Sequence, residues 1–227
     1  MSLCAENITV GYGREADILR GVSLTVGEKQ IIGLSGPSGS GKTTFARILT
    51  TLDRPRSGTV TVDGHRVTKT RFGAPAAIRG KVAMLFQSPR TATDPRLTLG
   101  AVVSQPWEIA GIPHTTGEVA ELAATVGLTP DLLSRRPYDV SEGQLQRACL
   151  ARALAQRPRY LVCDEATSMF DAATTAALIA MIRSHVELHA MGVLFISHDR
   201  ELLDVCCATV RELSSLSPPG DRRRPPR

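Results

Sequence analysis

Residues Gly36-Pro37-Ser38-Gly39-Ser40-Gly41-Lys42-Thr43, with Thr44 next, spell G-x-x-x-x-G-K-[ST], a pattern with few structural solutions. Before it, Gln30-Ile31-Ile32-Gly33-Leu34 reads as a short buried strand. After it, Thr44-Phe45-Ala46-Arg47-Ile48-Leu49 has the apolar spacing of a helix start. Strand, glycine-rich turn and helix N-terminus together aim successive backbone N–H groups at one point, on the positive end of a helix dipole. The glycines permit unusual φ values and leave no Cβ in the way of an approaching phosphate. Lys42 supplies a point charge for the outer phosphates, and the Thr43 hydroxyl is placed to ligate Mg2+. The pattern predicts an α/β phosphate-binding core.

The surrounding chain fits such a core. Cys4 to Val10 and Gly21 to Val26 alternate as half-exposed strands, with Gly11-Tyr12-Gly13 turning between them. Thr59 to His65 reads as a further strand running into a tight Asp63-Gly64 turn. These segments predict an antiparallel β section. Val82 to Phe86, Tyr160 to Cys163 and Val193 to Ile196 are continuous apolar runs of strand length, while Leu145 to Gln156 and Ala172 to His189 have helical spacing. Buried strands alternating with helices imply a parallel sheet covered on both faces. From Ser88 to Ser134 the pattern is mostly helical, over Leu99 to Ile109 and Glu118 to Val126. The expected organisation is one domain over 1–213, with a helical subdomain inserted at 88–147, and a disordered Pro/Arg-rich tail over 214–227.

Chemistry gathers where the apolar runs end. Tyr160 to Cys163 leads into Asp164-Glu165, and Val193 to Ile196 leads to His198. Adjacent carboxylates after a strand are ordinarily a solvated turn, and a lone histidine there is ordinarily a loop residue. A phosphate-binding loop in the same chain reverses that balance, because such sheets hold the metal and the attacking water at their strand ends. Asp164 is then expected to orient the Mg2+ shell and Glu165 to polarise water. Further on, Ser141-Glu142-Gly143-Gln144 fits the S-x-x-[EQ] capping box ahead of Leu145 to Gln156. The start of that helix is a second anion-facing dipole end. Two chains set head to tail would sandwich two nucleotides, each between one loop and one such helix end.

Taken together, the loop, Gln87 after a strand, Val140-Ser141-Glu142-Gly143-Gln144, Asp164-Glu165, Ser168-Met169-Phe170-Asp171 and His198 resemble the ATP-binding-cassette ATPases, in order and spacing, over residues 3–213. The resemblance implies a P-loop NTPase cassette: a RecA-like parallel-sheet core, an antiparallel β section and a helical subdomain, hydrolysing ATP with Mg2+. It also implies residue roles. Tyr12 stacks on adenine, Gly36 to Thr44 hold the phosphates, and Thr43, Gln87 and Asp164 serve the metal. Glu165, His198 and Gln87 are catalytic. Ser141, Gly143 and Gln144 belong to the signature that closes over ATP held by the opposite protomer, and Asp171 lies at the dimer seam. Glu142 stands where the family usually has the first glycine of Ser-Gly-Gly-Gln. Its carboxylate is expected to point away from nucleotide, at a helix end that favours negative charge by roughly 0.3–1 kcal/mol, leaving the close approach to Gly143.

Leu85 to Arg90 with Asp94 to Gly100, together with Arg136-Pro137-Tyr138 and Gln146-Arg147, look like the dipeptide, oligopeptide and nickel import subfamily. That subfamily's usual long C-terminal extension is not matched; the Pro/Arg tail stands in its place. The likeness implies transmembrane permease subunits, a second ATPase subunit in a homo- or heterodimer, and indirectly an extracellular solute-binding protein. The surface from Ser88 to Trp107 would receive a permease helix, and Trp107 fits either that groove or packing within the helical lobe. The expected place is the cytoplasmic face of the cell membrane. The rival reading is a soluble cassette ATPase in DNA repair, translation or cofactor assembly, whose members often carry two cassettes or an extra lobe.

Composition excludes other classes. Of 227 residues, 42% are hydrophobic and 22% charged, as in ordinary globular proteins. No apolar run reaches the roughly 18–20 residues of a membrane span, and the N-terminus lacks the basic n-region of a secretion signal. The net charge of +5 is concentrated in Asp221 to Arg227, where four arginines and one aspartate stand, and aromatics are only 4%. Too few stacking platforms exist for a nucleic-acid partner to be expected. Cys4, Cys149, Cys163, Cys206 and Cys207 are odd in number and scattered, with no C-x-x-C. They suit a reducing compartment and buried thiols.

Overall fold

The computed structural model describes residues 1–11, 17–67, 78, 80–168 and 170–217. In chain order its elements are β1 (Ser2–Val10), β2 (Leu19–Gly27), β3 (Ile31–Ser35), α1 (Lys42–Leu49), β4 (Ser57–Val62), β5 (His65–Arg66) and β6 (Val82–Leu85). Then come α2 (Leu99–Ala110), α3 (Thr116–Thr125), α4 (Glu142–Leu154), β7 (Tyr160–Asp164), α5 (Ala172–His189), β8 (Gly192–Ile196), α6 (Arg200–Cys206) and β9 (Thr209–Glu212). Short 3-10 turns lie at Pro130–Ser134, Pro137–Asp139 and Leu213–Leu216.

Two sheets form. The antiparallel one runs β2-β1-β4-β5, and the parallel one runs β6-β7-β8-β3-β9. Every residue of β7 and β8 is buried, as continuous apolar runs require when both faces are covered. Successive residues then serve different cores. Leu161, Cys163, Val193 and Phe195 join a cluster with α2, α3, α4 and α5. Tyr160, Val162, Leu194 and Ile196 join a second cluster with Leu34, with Phe45 and Ile48 of α1, and with the antiparallel sheet. The period-2 side-chain alternation of a strand explains the division. The helices of the insertion therefore pack on one face and the antiparallel sheet on the other.

A polar cluster centred on Asp63 ties the two sheets. Asp63, at φ 52 in the β4–β5 turn, accepts a hydrogen bond from the Tyr160 hydroxyl at 2.7 Å. Lys81 lies 3.5 Å and Arg159 3.4 Å from its other oxygen. Burial, followed by that hydrogen bond, raises the Tyr160 phenol above its ordinary range.

Three expectations shift. The signature helix begins at Glu142, three residues before Leu145, because Ser141 is its N-cap and helical geometry starts at the next residue. α6 and β9 are additional elements, and β9 pairs in parallel with β3 at the sheet edge. The chain also keeps regular structure past Ser214, since Leu213–Leu216 turn with Leu216 packed against the second core. Residues 218–227, where the tail was expected, lie outside the described residues.

Candidate nucleotide site

All the predicted chemistry of the core arrives at the carboxyl ends of the parallel strands. β6 leads to Gln87, β7 to Asp164-Glu165, β8 to His198 and β3 to the glycine-rich loop. Open α/β sheets place ligands outside this edge, where the strand order reverses.

The loop is built for an anion. Gly39 has φ 76 and Gly41 φ 97, a left-handed region that costs other L-residues about 1–2 kcal/mol. A Cβ on Gly41 would also come within 2.8 Å of Ile18 Cγ2 and Leu19 Cδ2, whereas one on Gly39 meets nothing within 4 Å among the described residues. Gly41 is thus required by packing as well as by conformation, and Gly39 faces open space. α1 starts from Gly41 with no side-chain cap, so among the described residues its first N–H groups are left for a ligand. Among the described residues the buried Ser40 hydroxyl has no hydrogen-bond partner, an arrangement that costs about 1–3 kcal/mol unless something fills it. Lys42 is only 4% exposed; its Nζ donates to the carbonyls of Gly36 (2.9 Å) and Pro37 (3.0 Å). A buried ammonium, an orphaned hydroxyl and an uncapped helix start around one opening fit phosphate.

The carboxylates sit beside it. The Thr43 hydroxyl donates to Asp164 Oδ1 at 3.2 Å. Burial pushes the Asp164 carboxyl above its usual range, against the lowering effect of that hydrogen bond. Among the described residues no group of three or more His, Cys, Asp and Glu is arranged to hold a metal. One carboxylate beside one hydroxyl suits Mg2+, which takes most of its oxygen ligands from phosphates and water.

Glu165 is the hub. Gln87 Nε2 donates to its Oε2 at 3.2 Å, His198 Nδ1 lies 3.5 Å from the same oxygen, and Lys42 Nζ lies 3.6 Å from Oε1. Its own backbone is held at φ 47, with its N–H donating to Ile196 O at 2.9 Å. A glutamate at positive φ is strained, and such strain gathers where neighbouring structure must aim a side chain. Gln87 and His198, two of the residues expected to be catalytic, thus converge with Lys42 on the carboxylate of the third, Glu165.

The signature residues form a separate group. Ser141 Oγ accepts from Gln144 N at 3.2 Å and Gln144 Oε1 accepts from Ser141 N at 3.0 Å, a complete capping box. A Cβ on Gly143 would approach Thr174 Cγ2 to 3.2 Å, so its smallness lets α4 pack on the start of α5. Asp171 caps α5, accepting from Thr174 N at 2.8 Å. Among the described residues no hydrogen bond links Ser141, Gln144 or Asp171 to the loop or to Glu165. Tyr12 lies outside the described residues.

The Glu142 carboxylate is taken up by Arg90, whose Nε donates to Oε2 at 2.7 Å. Trp107 belongs to the helical lobe: it packs on the first core and its indole N–H donates to Ala155 O at 2.6 Å. Sequence reasoning missed a role for Gln146, which is fully buried and whose Nε2 donates to the carbonyls of Phe86 (3.0 Å) and Ala166 (3.2 Å). The available signal was a polar residue on the apolar face of α4.

The profile of the ABC transporter family matches residues 19–168, from β2 through the loop to Ser168 just past Glu165. The chain belongs to that family. Among curated relatives, the nickel import ATP-binding protein NikE of Escherichia coli (strain K12) is 34% identical over 203 residues, 88% of this chain and 76% of NikE. The methionine import ATP-binding protein MetN of Thermobifida fusca (strain YX) is 40% identical over 200 residues, 87% of this chain and 61% of MetN. The ATP-binding cassette MJ0796, in a dimeric post-hydrolysis state bound to ADP and Pi, superposes with a TM-score of 0.81 at 25% identity, over 94% of each chain. This ABC protein is therefore an ATP-binding ATPase with the cassette fold expected from its sequence. Among its described residues no helix is long and apolar enough to cross a membrane.

Proposed function

We propose that this ABC ATPase powers import of a solute, of the peptide or nickel kind, through separate permease subunits at the cytoplasmic face of the membrane. The observation that carries the ATPase half is the convergence of Gln87, His198 and Lys42 on Glu165 beside an anion-ready loop. The importer half is supported by relatives named for nickel and methionine import. It is further supported by a groove beside β6, lined among others by Leu52, Met84, Phe86, Ala92 and Pro106. Leu52 is 45% exposed, and the groove offers an apolar seat next to Gln87 for a permease helix. The reading includes a single nucleotide-binding unit over 1–213, with its helical subdomain at 88–147.

In this reading Gly36 to Thr44 wrap the phosphates, with Ser38, Gly39, Ser40 and Gly41 offering backbone N–H groups or the Ser40 hydroxyl, and Pro37, which has no N–H, shaping the turn. Lys42 exchanges its bonds to Gly36 and Pro37 for phosphate oxygens, which also frees Glu165 Oε1. Thr43, Asp164 and, through water, Gln87 would hold Mg2+, which would supply charge neutralisation on the phosphate oxygens. Glu165 accepts a proton from the attacking water and His198 donates to the terminal phosphate. Tyr12 stacks on the adenine. Ser141, Gly143 and Gln144 meet the ATP held by a second ATPase chain, identical or different, with Asp171 at the seam. An extracellular binding protein would select the solute.

The test is purification of the tagged chain from its native membranes in mild detergent. Co-purifying polytopic permeases, with one or two ATPase chains, are expected. A homodimer without membrane partners, or a complex with ribosomal or DNA-bound proteins, overturns the importer half and leaves the ATPase half standing.

A further inference from the structure

Glu142 puts a carboxylate at the first turn of α4, on a helix end offered to an anion. The structure answers that conflict with one side chain. The Arg90 guanidinium donates from Nε to Glu142 Oε2 (2.7 Å), from Nη1 to Pro137 O (2.9 Å) and from Nη2 to Val140 O (3.3 Å). It also lies 5.8 Å from the centre of the Tyr138 ring. A single guanidinium thus holds four residues of the 137–142 approach to the signature, using the planar fork that lysine lacks.

Arg90 reaches this position from the other half of the site. It lies three residues after Gln87, and the link between them is short and braced. Pro89 is buried, and its carbonyl accepts from Ala92 N at 3.2 Å and from Thr93 Oγ1 at 2.9 Å. Gln87 in turn holds Glu165. A chain of contacts therefore runs from the water-polarising carboxylate to the signature of the same protomer. Arg90 and Glu142 are 38% and 30% exposed, and exposed pairs add little to fold stability. The pair's value lies in charge and geometry.

We propose that Arg90 is a positioning residue for the signature: it neutralises Glu142 and ties the signature turn to the Gln87 segment, so that the turn accepts ATP held by a second copy. The proposal rests on the reading of the signature given above. It makes Glu142 acceptable only while Arg90 is present.

The test is ATP-driven dimerisation in the Glu165→Gln background, followed by sedimentation, with binding of a fluorescent ATP analogue to the monomer measured in parallel. Arg90→Ala should weaken dimerisation about tenfold, by leaving an unpaired carboxylate at the nucleotide interface, while analogue binding to the monomer stays as in the parent. Adding Glu142→Gln to Arg90→Ala should restore dimerisation to within about threefold of the parent, because the uncompensated charge is gone. Glu142→Gln alone should dimerise as well as the parent. Equal loss in Arg90→Ala and in the double variant overturns the charge argument, as does an Arg90→Ala variant that dimerises normally. A Glu165→Gln parent that stays monomeric with ATP overturns the dimer reading, and this assignment with it.

Discussion

Gln146 Nε2 donates at 3.0 Å to the carbonyl of Phe86, the residue immediately before Gln87, and the same nitrogen donates at 3.2 Å to Ala166, immediately after Glu165. One buried amide on α4 thereby fixes the spacing of two loops that meet at a single carboxylate. Among the described residues its buried Oε1 has no partner, so the two donated bonds are the contacts a substitution removes. Gln146→Met keeps the length of the side chain and removes both bonds. We expect kcat for ATP hydrolysis to fall about tenfold with KM within about threefold of the parent, since an ångström-scale shift of a catalytic group costs rate before it costs binding. Equal kcat in steady-state phosphate release would show that the two loops hold their positions without it.

Glu165→Gln removes the proposed base while keeping the volume and the strained backbone. General-base removal commonly costs about 10²–10⁴-fold. Phosphate release should drop by about that factor with ATP affinity retained, and the thermal midpoint should move by no more than about 2 °C, an equivalent of under 1 kcal/mol at this size. Hydrolysis at the parental rate would take Glu165 out of the mechanism.

Two glycines in one loop should separate folding from binding. Gly41→Ala forces a Cβ to within 2.8 Å of Ile18 and Leu19 at φ 97. Overpacking and left-handed strain add to about 2–4 kcal/mol, so its thermal midpoint should fall by about 5–15 °C. Gly39→Ala has the left-handed strain at φ 76 but no clash, worth about 1–2 kcal/mol or 2–8 °C. Its methyl group enters the space left for phosphate, so ATP affinity should fall more than tenfold. Differential scanning calorimetry and ATP titration on both variants check the contrast. A Gly39→Ala protein with parental ATP affinity would place the phosphates elsewhere.

The gathering of Gln87, Asp164, Glu165 and His198 at one edge was legible because these residues follow apolar strands directly, and local order in a parallel sheet becomes spatial order at the strand ends. Ala172–His189 matched to the residue, bounded by Asp171 as N-cap and Ala190 in the left-handed region. β9 was not legible, since its residues Thr209, Arg211 and Glu212 are exposed at the sheet edge and lack the apolar run of an inner strand. α6 is only seven residues long and sits on a side-chain cap from Asp199, too short for periodicity to register. The Arg90–Glu142 pair joins residues 52 apart, and Gln146 acts on backbone carbonyls 20 and 60 residues away. Contacts of that kind follow from the packing of the helical lobe on the sheet and from nothing local.

The thiols allow a last prediction, in which pH enters with a definite sign. Burial pushes Cys207 up to about 12 and Cys149 up to about 11, and raises Cys163 and Cys206 as well. A thiol reacts as thiolate, and at pH 8 a group with a pKa near 12 is ionised in about one molecule in 10⁴. Cys4, on the first strand, is only partly buried. Native protein treated with iodoacetamide at pH 8 should therefore take up no more than one label per chain, at Cys4, against five in denaturant. Raising the pH toward 9 should speed any labelling of the buried four about tenfold, because the thiolate fraction rises tenfold per unit below the pKa. Rapid labelling of Cys206 or Cys207 at pH 8, read by peptide mass spectrometry, would mean that α6 opens readily from β3 and that the edge strand β9 is released with it.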